Sequence, residues 1–220
     1  LTELRTQVAA PAEDPLMWVS RFRIKAHSTW LKLTYPFVRF GQRVSIHPSC
    51  DIQRSHAHKI SIGNFVLLGR EVWLSVPVNS GRSVPALILD HGANIGRRSV
   101  ISAINQIHIE ENVLFAPAVF VTDHNHEYRN PELPVSAQGV TQGGSVVIER
   151  NCWLGYGSMV IAGHREVVVG RNSVIGAYAV VTESCPPHSV LVGNPARVVK
   201  QFDPATGDWM KMRNLDNARK

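Results

Sequence analysis

Cysteine is scarce in this chain, three among 220 residues, and no two of them form a C-x-x-C pair. The odd count and wide spacing argue against a disulfide framework or a cysteine-based zinc site, so a reducing cytoplasmic compartment is the expectation. Aromatic residues make up only 7%, which suits a core whose cross-section admits aliphatic side chains and little else. No uninterrupted run of ~18–20 apolar residues is present, so an integral membrane helix is not expected. The body of the chain also lacks a surplus of positive charge. Residues 44–195 carry ten Lys/Arg against eleven Asp/Glu, and the overall charge of +6 arises in the segments on either side. A near-neutral body without a groove-reading motif gives nucleic-acid binding no support.

What the chain does have is a six-residue rhythm. Aliphatic residues recur at Ile62, Leu68 and Leu74, at Leu89, Ile95, Ile101 and Ile107, at Ile109, Phe115 and Val121, at Ile148, Leu154 and Val160, and at Val169, Ile175 and Val181. Neither a helix nor an ordinary strand repeats every six residues. Glycine follows the aliphatic residue in several hexads, as in Ile62-Gly63 and Leu154-Gly155, where it tolerates tight corner geometry. Small or β-branched residues such as Val66, Ser99, Val119 and Ser158 stand four places after it. The pattern predicts a triangular coil in which each hexad is one short strand plus one corner, repeated as a parallel β-solenoid. Cys50, Cys152 and Cys185 each occupy the small-residue slot, where cysteine acts as a compact hydrophobe rather than a nucleophile.

The rhythm is broken at both ends and twice inside. Leu16 to Leu33 mixes Trp18, Phe22, Ile24, Trp30 and Leu31 with Arg21, Arg23, Lys25 and Lys32, the composition of an amphipathic helix. Such a helix either covers the open apolar end of the solenoid or lies on an anionic membrane surface, and the cap is the preferred reading. The expected organisation is a cap over 1–43, a β-helix over 44–200 and a tail over 201–220. Ser75 to Ala86 reads as a modest loop. Thr122 to Ser145 is longer, and long insertions in a regular repeat are commonly functional.

That second loop holds the densest polar chemistry: Asp123, His124, Asn125, His126, Glu127, Tyr128 and Arg129 in succession. The cluster fits a solvated loop, a metal site formed with His56 and His58, or a general base. An imidazole can take a proton near neutral pH, and a rigid coil can hold it at the mouth of a cleft.

The hexads, the segment Thr122–Tyr128, the runs Val147–Gly155 and Val174–Thr182, and Pro186-Pro187 followed by Val192-Gly-Asn-Pro-Ala-Arg-Val-Val-Lys200 together resemble the hexapeptide-repeat acyltransferases. The likeness is greatest to the maltose, galactoside and polysaccharide O-acetyltransferases. The resemblance implies an all-β fold, a left-handed parallel β-helix, assembled as a homotrimer that binds acetyl-CoA in clefts between subunits and requires no metal. It implies a histidine base, assigned by counting to His126 with His124 as the alternative, and acceptor contacts from Asp123, Asn125 and Tyr128. It places Trp153, Tyr156, Ala177 and Thr182 along the acetyl-CoA channel, a backbone N–H near Tyr156 at the oxyanion, and Arg197 and Lys200 at the CoA phosphates. The chain departs from the family pattern at Glu183, at His164-Arg165-Glu166 and around Gly96 to Asn105. The implied activity is O-acetylation of a sugar or polysaccharide precursor. The alternatives are N-acylation of an amino sugar or nucleotide sugar, and a non-catalytic β-helix subunit.

Overall fold

The computed structural model describes residues 15–76 and 85–212. Much of the Ser75–Ala86 interruption and the two ends of the chain therefore lie outside the described residues. The body is a left-handed parallel β-helix, a departure from the usual right-handed crossover between parallel strands. Each coil visits three faces in turn. The first face stacks Arg39–Phe40, Ile60–Ile62, Leu87–Leu89, Gln106–Ile109, Ser145–Ile148 and Glu166–Val169. The second stacks Ser45–Ile46, Leu67–Leu68, Asn94–Ile95, Leu114–Phe115, Trp153–Leu154, Val174–Ile175 and Ser189–Val192. The third stacks Asp51–Ile52, Trp73–Ser75, Val100–Ser102, Phe120–Thr122, Met159–Ile161 and Val180–Val181. Pairing is parallel throughout these coils, with Val121 opposite both Ile101 and Val160, so the inward residues of successive hexads lie over one another.

Every aliphatic residue of the six-residue rhythm is buried, as are the small residues that follow four places on. The glycines serve a different purpose from the one their position suggests. Gly63, Gly69, Gly96 and Gly155 do not have positive φ; the left-handed residue comes two places later, at Phe65, Glu71, Arg98 and Gly157. What excludes a side chain is the next coil: a Cβ on Gly63 would stand 2.8 Å from the backbone carbonyl carbon of Asp90, and one on Gly155 would stand 2.7 Å from the amide nitrogen of Ala177. Close approach of two backbones, rather than conformational freedom, selects glycine there.

A helix spanning Pro15–Thr34 lies over the first coil. Leu31 and Ser28 are buried beneath it, and the Ser28 hydroxyl accepts the Ile46 N–H at 2.9 Å, tying helix to strand. At the opposite end the second face changes direction. Arg197–Asp203 pairs antiparallel with Ser189–Val192, and Asp208–Lys211 pairs antiparallel with Arg197–Asp203.

Among the described residues, the large departures between coils leave by one edge, where the third face hands over to the first. They are the 3-10 turn Arg54–Lys59 and the 123–144 loop. The 123–144 loop is organised as an arm: His126 bridges Val140 in antiparallel fashion, the Thr141 N–H donates to the Asn125 carbonyl, and a short helix spans Val135–Gln138.

Gly63→Ala is expected to cost about 1–3 kcal/mol, because neither the Asp90 nor the His91 backbone can yield without disturbing the ladder. Ala118→Gly, at φ 62°, is expected to stay within about 1 kcal/mol of the parent, since relief of the left-handed strain offsets the added chain entropy. Thermal unfolding of the two variants side by side checks the contrast.

Candidate active site

The loop begins on a buried carboxylate. Asp123 is fully enclosed. Its Oδ2 accepts the N–H groups of Asn105 at 2.7 Å and Gln106 at 2.8 Å, and its Oδ1 accepts that of Ile104 at 2.9 Å. These donors come from the tight turn one coil below, where Ser102 leaves the third face and Gln106 enters the first. A buried charge is tolerable only when its lone pairs are met in this way. The Gly144 N–H returns to the Asp123 carbonyl, and the Asn105 side-chain amide donates to the Gly144 carbonyl at 2.9 Å, so both ends of the loop are pinned to one spot.

His124 follows directly. Its Nδ1 lies 2.9 Å from Asp123 Oδ1, and its side chain is only 11% exposed. The Thr122 hydroxyl donates to the His124 carbonyl and accepts the His124 N–H, which sets the backbone of the turn. With Nδ1–H given to the carboxylate, the lone pair of the imidazole sits on Nε2. His124, Asn125 and His126 line a cleft of about 280 Å³ whose floor is the third face, with Trp73, Phe120 and Ile161 among its walls. His126 is exposed and is held through its backbone bridge to Val140.

The other expected residues fall elsewhere. Asp123 lies underneath His124, out of reach of an acceptor in the cleft, whereas Asn125 lines the cleft and Tyr128 stands outward on the arm. Trp153 projects from the second face, half exposed, and Tyr156 stands at the corner between the second and third faces with its ring edge-on to Tyr178 at 5.5 Å. No hydrogen bond from the Tyr156 N–H is made among the described residues. Ala177 occupies the corner one coil above, Thr182 directly follows the last strand of the third face, and Arg197 and Lys200 are exposed on the antiparallel strand that extends the second face. None of Trp153, Tyr156, Ala177, Thr182, Arg197 and Lys200 lines the His124 cleft.

His56 and His58 sit on the Arg54–Lys59 turn, three coils from the loop, so the two histidine pairs are not brought together. Among the described residues no group of three or more His, Cys, Asp and Glu could hold a metal ion. No helix among them is long and apolar enough to cross a membrane. His164 does border the loop: with Glu127, Arg129, Thr141 and Gln142 it lines a separate recess of about 390 Å³. Three contributors had no signature in the sequence: the backbone donors of 104–106, the wall residue Trp73 and the Asn105 clasp.

No protein-family model matches the chain. It is 32% identical over 117 residues to WbbJ of Escherichia coli K12, named as a lipopolysaccharide biosynthesis O-acetyl transferase; the match covers 50% of this chain and 58% of that protein. It is 30% identical over 168 residues to Rv3034c of Mycobacterium tuberculosis, named as an acetyltransferase, covering 76% of this chain and 51% of that protein. The chain thus spans roughly half the length of these relatives. In fold it resembles AntD, an N-acyltransferase from Bacillus cereus solved with dTDP and 3-hydroxybutyryl-CoA, at a TM-score of 0.63 and 20% identity, with 82% of this chain and 90% of that one covered. It also resembles VCA0836 of Vibrio cholerae, a hexapeptide-repeat acetyltransferase solved with acetyl coenzyme A, at a TM-score of 0.51 and 16% identity, with 87% and 91% covered. The resemblance to the hexapeptide-repeat acyltransferases therefore holds in both sequence and fold.

The cysteines take no part in this site. Burial pushes the Cys50 thiol up to about 11 and the Cys152 thiol up to about 12, and Cys50 Sγ lies 3.0 Å from the Gly69 carbonyl. A thiol of that kind is almost wholly protonated at pH 8. Alkylation of Cys50 by iodoacetamide at pH 8 is expected to run about a hundredfold slower than that of a free thiol, as followed by mass spectrometry.

Proposed function

We propose that the protein is an acetyl-CoA-dependent acetyltransferase acting on a hydroxyl of a sugar or polysaccharide precursor, with His124 as the general base. The observation that carries this reading is the Asp123–His124 contact at 2.9 Å beside the cleft. Sequence counting favours His126; we assign the base to His124 because its ring has a fixed tautomer and a fixed direction, while His126 is exposed and makes its recorded contact through the backbone. His126 and Asn125 then serve as acceptor contacts.

The chemistry is direct transfer. A sugar hydroxyl bound in the cleft gives its proton to His124 Nε2 as its oxygen attacks the thioester carbonyl, and Asp123 stabilises the imidazolium that forms. The C–S bond of the tetrahedral intermediate then breaks, and the departing CoA thiolate takes the proton back. The unengaged Tyr156 N–H is the backbone donor assigned to the developing oxyanion. Trp153 and Ala177 border the pantetheine arm, Thr182 lies toward the adenine end, and Arg197 and Lys200 meet the phosphates.

These cofactor residues and the His124 cleft do not meet on one chain. That separation supports a homotrimer in which the second-face residues of one subunit complete the cleft of its neighbour. The near-neutral body and exposed Leu67, Leu114, Trp153 and Met159 are consistent with such packing.

His124→Ala is expected to lower turnover about 10²–10⁴-fold with little change in acetyl-CoA affinity, and His126→Ala to act far more mildly. Asp123→Asn keeps an oxygen for the backbone donors but turns an N–H₂ toward the ring, forcing the wrong tautomer; a loss of similar order in kcat is expected. Steady-state thioester turnover on sugars, amino sugars and nucleotide sugars checks all three, and a preference for amines would redirect the assignment to N-acylation. Loss confined to His126→Ala would move the base to His126.

Co-refolding His124→Ala chains with Trp153→Ala chains is expected to restore part of the activity that each lacks alone, because some interfaces then pair two intact halves. No recovery in mixtures shown by sedimentation to form trimers would refute the shared site.

A further inference from the structure

The N-terminal helix has two working faces. Ile24, Ser28 and Leu31 turn toward the first coil. At 3.6 residues per turn, Trp18, Phe22, Leu33, Val19 and Trp30 fall together on the outward side, in a stripe about 120° wide. They are exposed, Trp18 by 64%, Phe22 by 72% and Leu33 by 78%. Lys25 and Lys32 border the stripe on one side and Arg23 on the other, and residues 15–34 contain no Asp or Glu. A helix needs only one apolar face to cap a solenoid; the second is unexplained by the fold.

A second observation adjoins it. Beyond Val19 and Arg23 the helix walls a cavity of about 500 Å³ whose other side is His47, Ser49 and Arg70 at two successive corners of the coil. Glu71, also at its rim, is committed to Arg98, whose Nε lies 2.8 Å from the carboxylate. Burial, followed by the charges of Arg70, Arg23 and His27, pushes His47 below its ordinary range, although Glu71 pulls in the other direction. The cavity thus holds more positive charge than its own groups neutralise.

We propose that the outward face of the N-terminal helix docks on an anionic lipid surface, with the Arg23–His47–Arg70 cavity receiving a phosphate-bearing headgroup. An apolar stripe of Trp, Phe and Leu between basic borders matches the depth profile of a lipid interface: rings and aliphatic chains enter the acyl boundary while Lys and Arg remain among the headgroups. Charge complementarity favours this occupant over a second copy of the helix, which would set Lys and Arg against Lys and Arg. The proposal is independent of the transfer chemistry, since neither the stripe nor the cavity touches the His124 cleft.

Co-sedimentation of the full chain with vesicles tests it. Binding is expected to vesicles of phosphatidylcholine with about one third phosphatidylserine and not to phosphatidylcholine alone, and to weaken as salt rises. Lys25→Glu/Lys32→Glu and Phe22→Glu/Leu33→Glu are each expected to reduce partitioning about tenfold or more, with far-UV circular dichroism and turnover unchanged. If the paired apolar variant is poorly folded, Phe22→Ser alone replaces it. Arg70→Gln is expected to weaken binding less, with the stripe intact. Equal binding to neutral and anionic vesicles, or variants that partition like the parent, overturns the proposal. So does a smaller sedimenting species for either paired variant without lipid, which would make the stripe a contact between copies. Full displacement from vesicles by millimolar inorganic phosphate at constant ionic strength would assign the cavity to a soluble anion and overturn the headgroup role.

Discussion

Everything in this molecule depends on successive coils coming within one ladder spacing of each other along three faces at once. Parallel pairing sets that distance at ~4.8 Å, and the side chains that succeed are those that let backbones meet. The buried column of Ile62, Leu89, Ile109, Ile148 and Val169 supplies the apolar gain on the first face. The glycine that follows Ile62 and Val169 removes the one atom that would hold two corners apart. The left-handed corner residues absorb the turn, and they include Phe65, Glu71, Arg98, Ala118 and Tyr178, residues that pay a conformational cost of about 1 kcal/mol or more each. Their persistence shows how strongly the ladder overdetermines the corner.

The same rigidity makes the candidate site possible. An arm of some twenty residues would ordinarily leave its side chains undirected. Here its two ends are tied to one turn: Asp123 takes three N–H groups from 104–106, and Gly144 is held by Asn105 and by the Asp123 carbonyl. The carboxylate therefore does two jobs, closing the arm and orienting His124. The cleft has a floor that cannot move, because Val100, Phe120 and Ile161 belong to the ladder itself.

The fold was legible because its signal is periodic: inward aliphatics at every sixth place need no tertiary information to be recognised, and all were found buried. The helix was legible over Leu16 to Leu33 from composition, since Trp18, Phe22, Ile24, Trp30 and Leu31 are interleaved with Arg21, Arg23, Lys25 and Lys32. The glycines were recognised for position but not for cause, because a neighbouring coil's backbone leaves no mark in the local sequence. The site was harder. His124 and His126 are two apart in an aperiodic loop, and what distinguishes their surroundings is the placement of Asp123 under His124. That placement depends on backbone donors at Ile104, Asn105 and Gln106, whose side chains carry no sign of the task. Asp123 was read as an acceptor contact for the same reason, and it lies buried instead.

A stack of parallel coils has no intrinsic end, and each terminal rung offers unpaired amides to any chain that can extend it. Here the second face is closed by the reversal at Asn194–Ala196, after which Arg197–Asp203 runs against Ser189–Val192 and is itself covered by Asp208–Lys211. The outermost strand, Asp208–Lys211, again runs in the direction of the coil strands, but the hairpin extends the second face alone, so an incoming first coil meets no even three-sided rung on which to stack. The hairpin thus acts as a chain terminator, limiting a repeat that could otherwise polymerise end to end into a fibre of defined length.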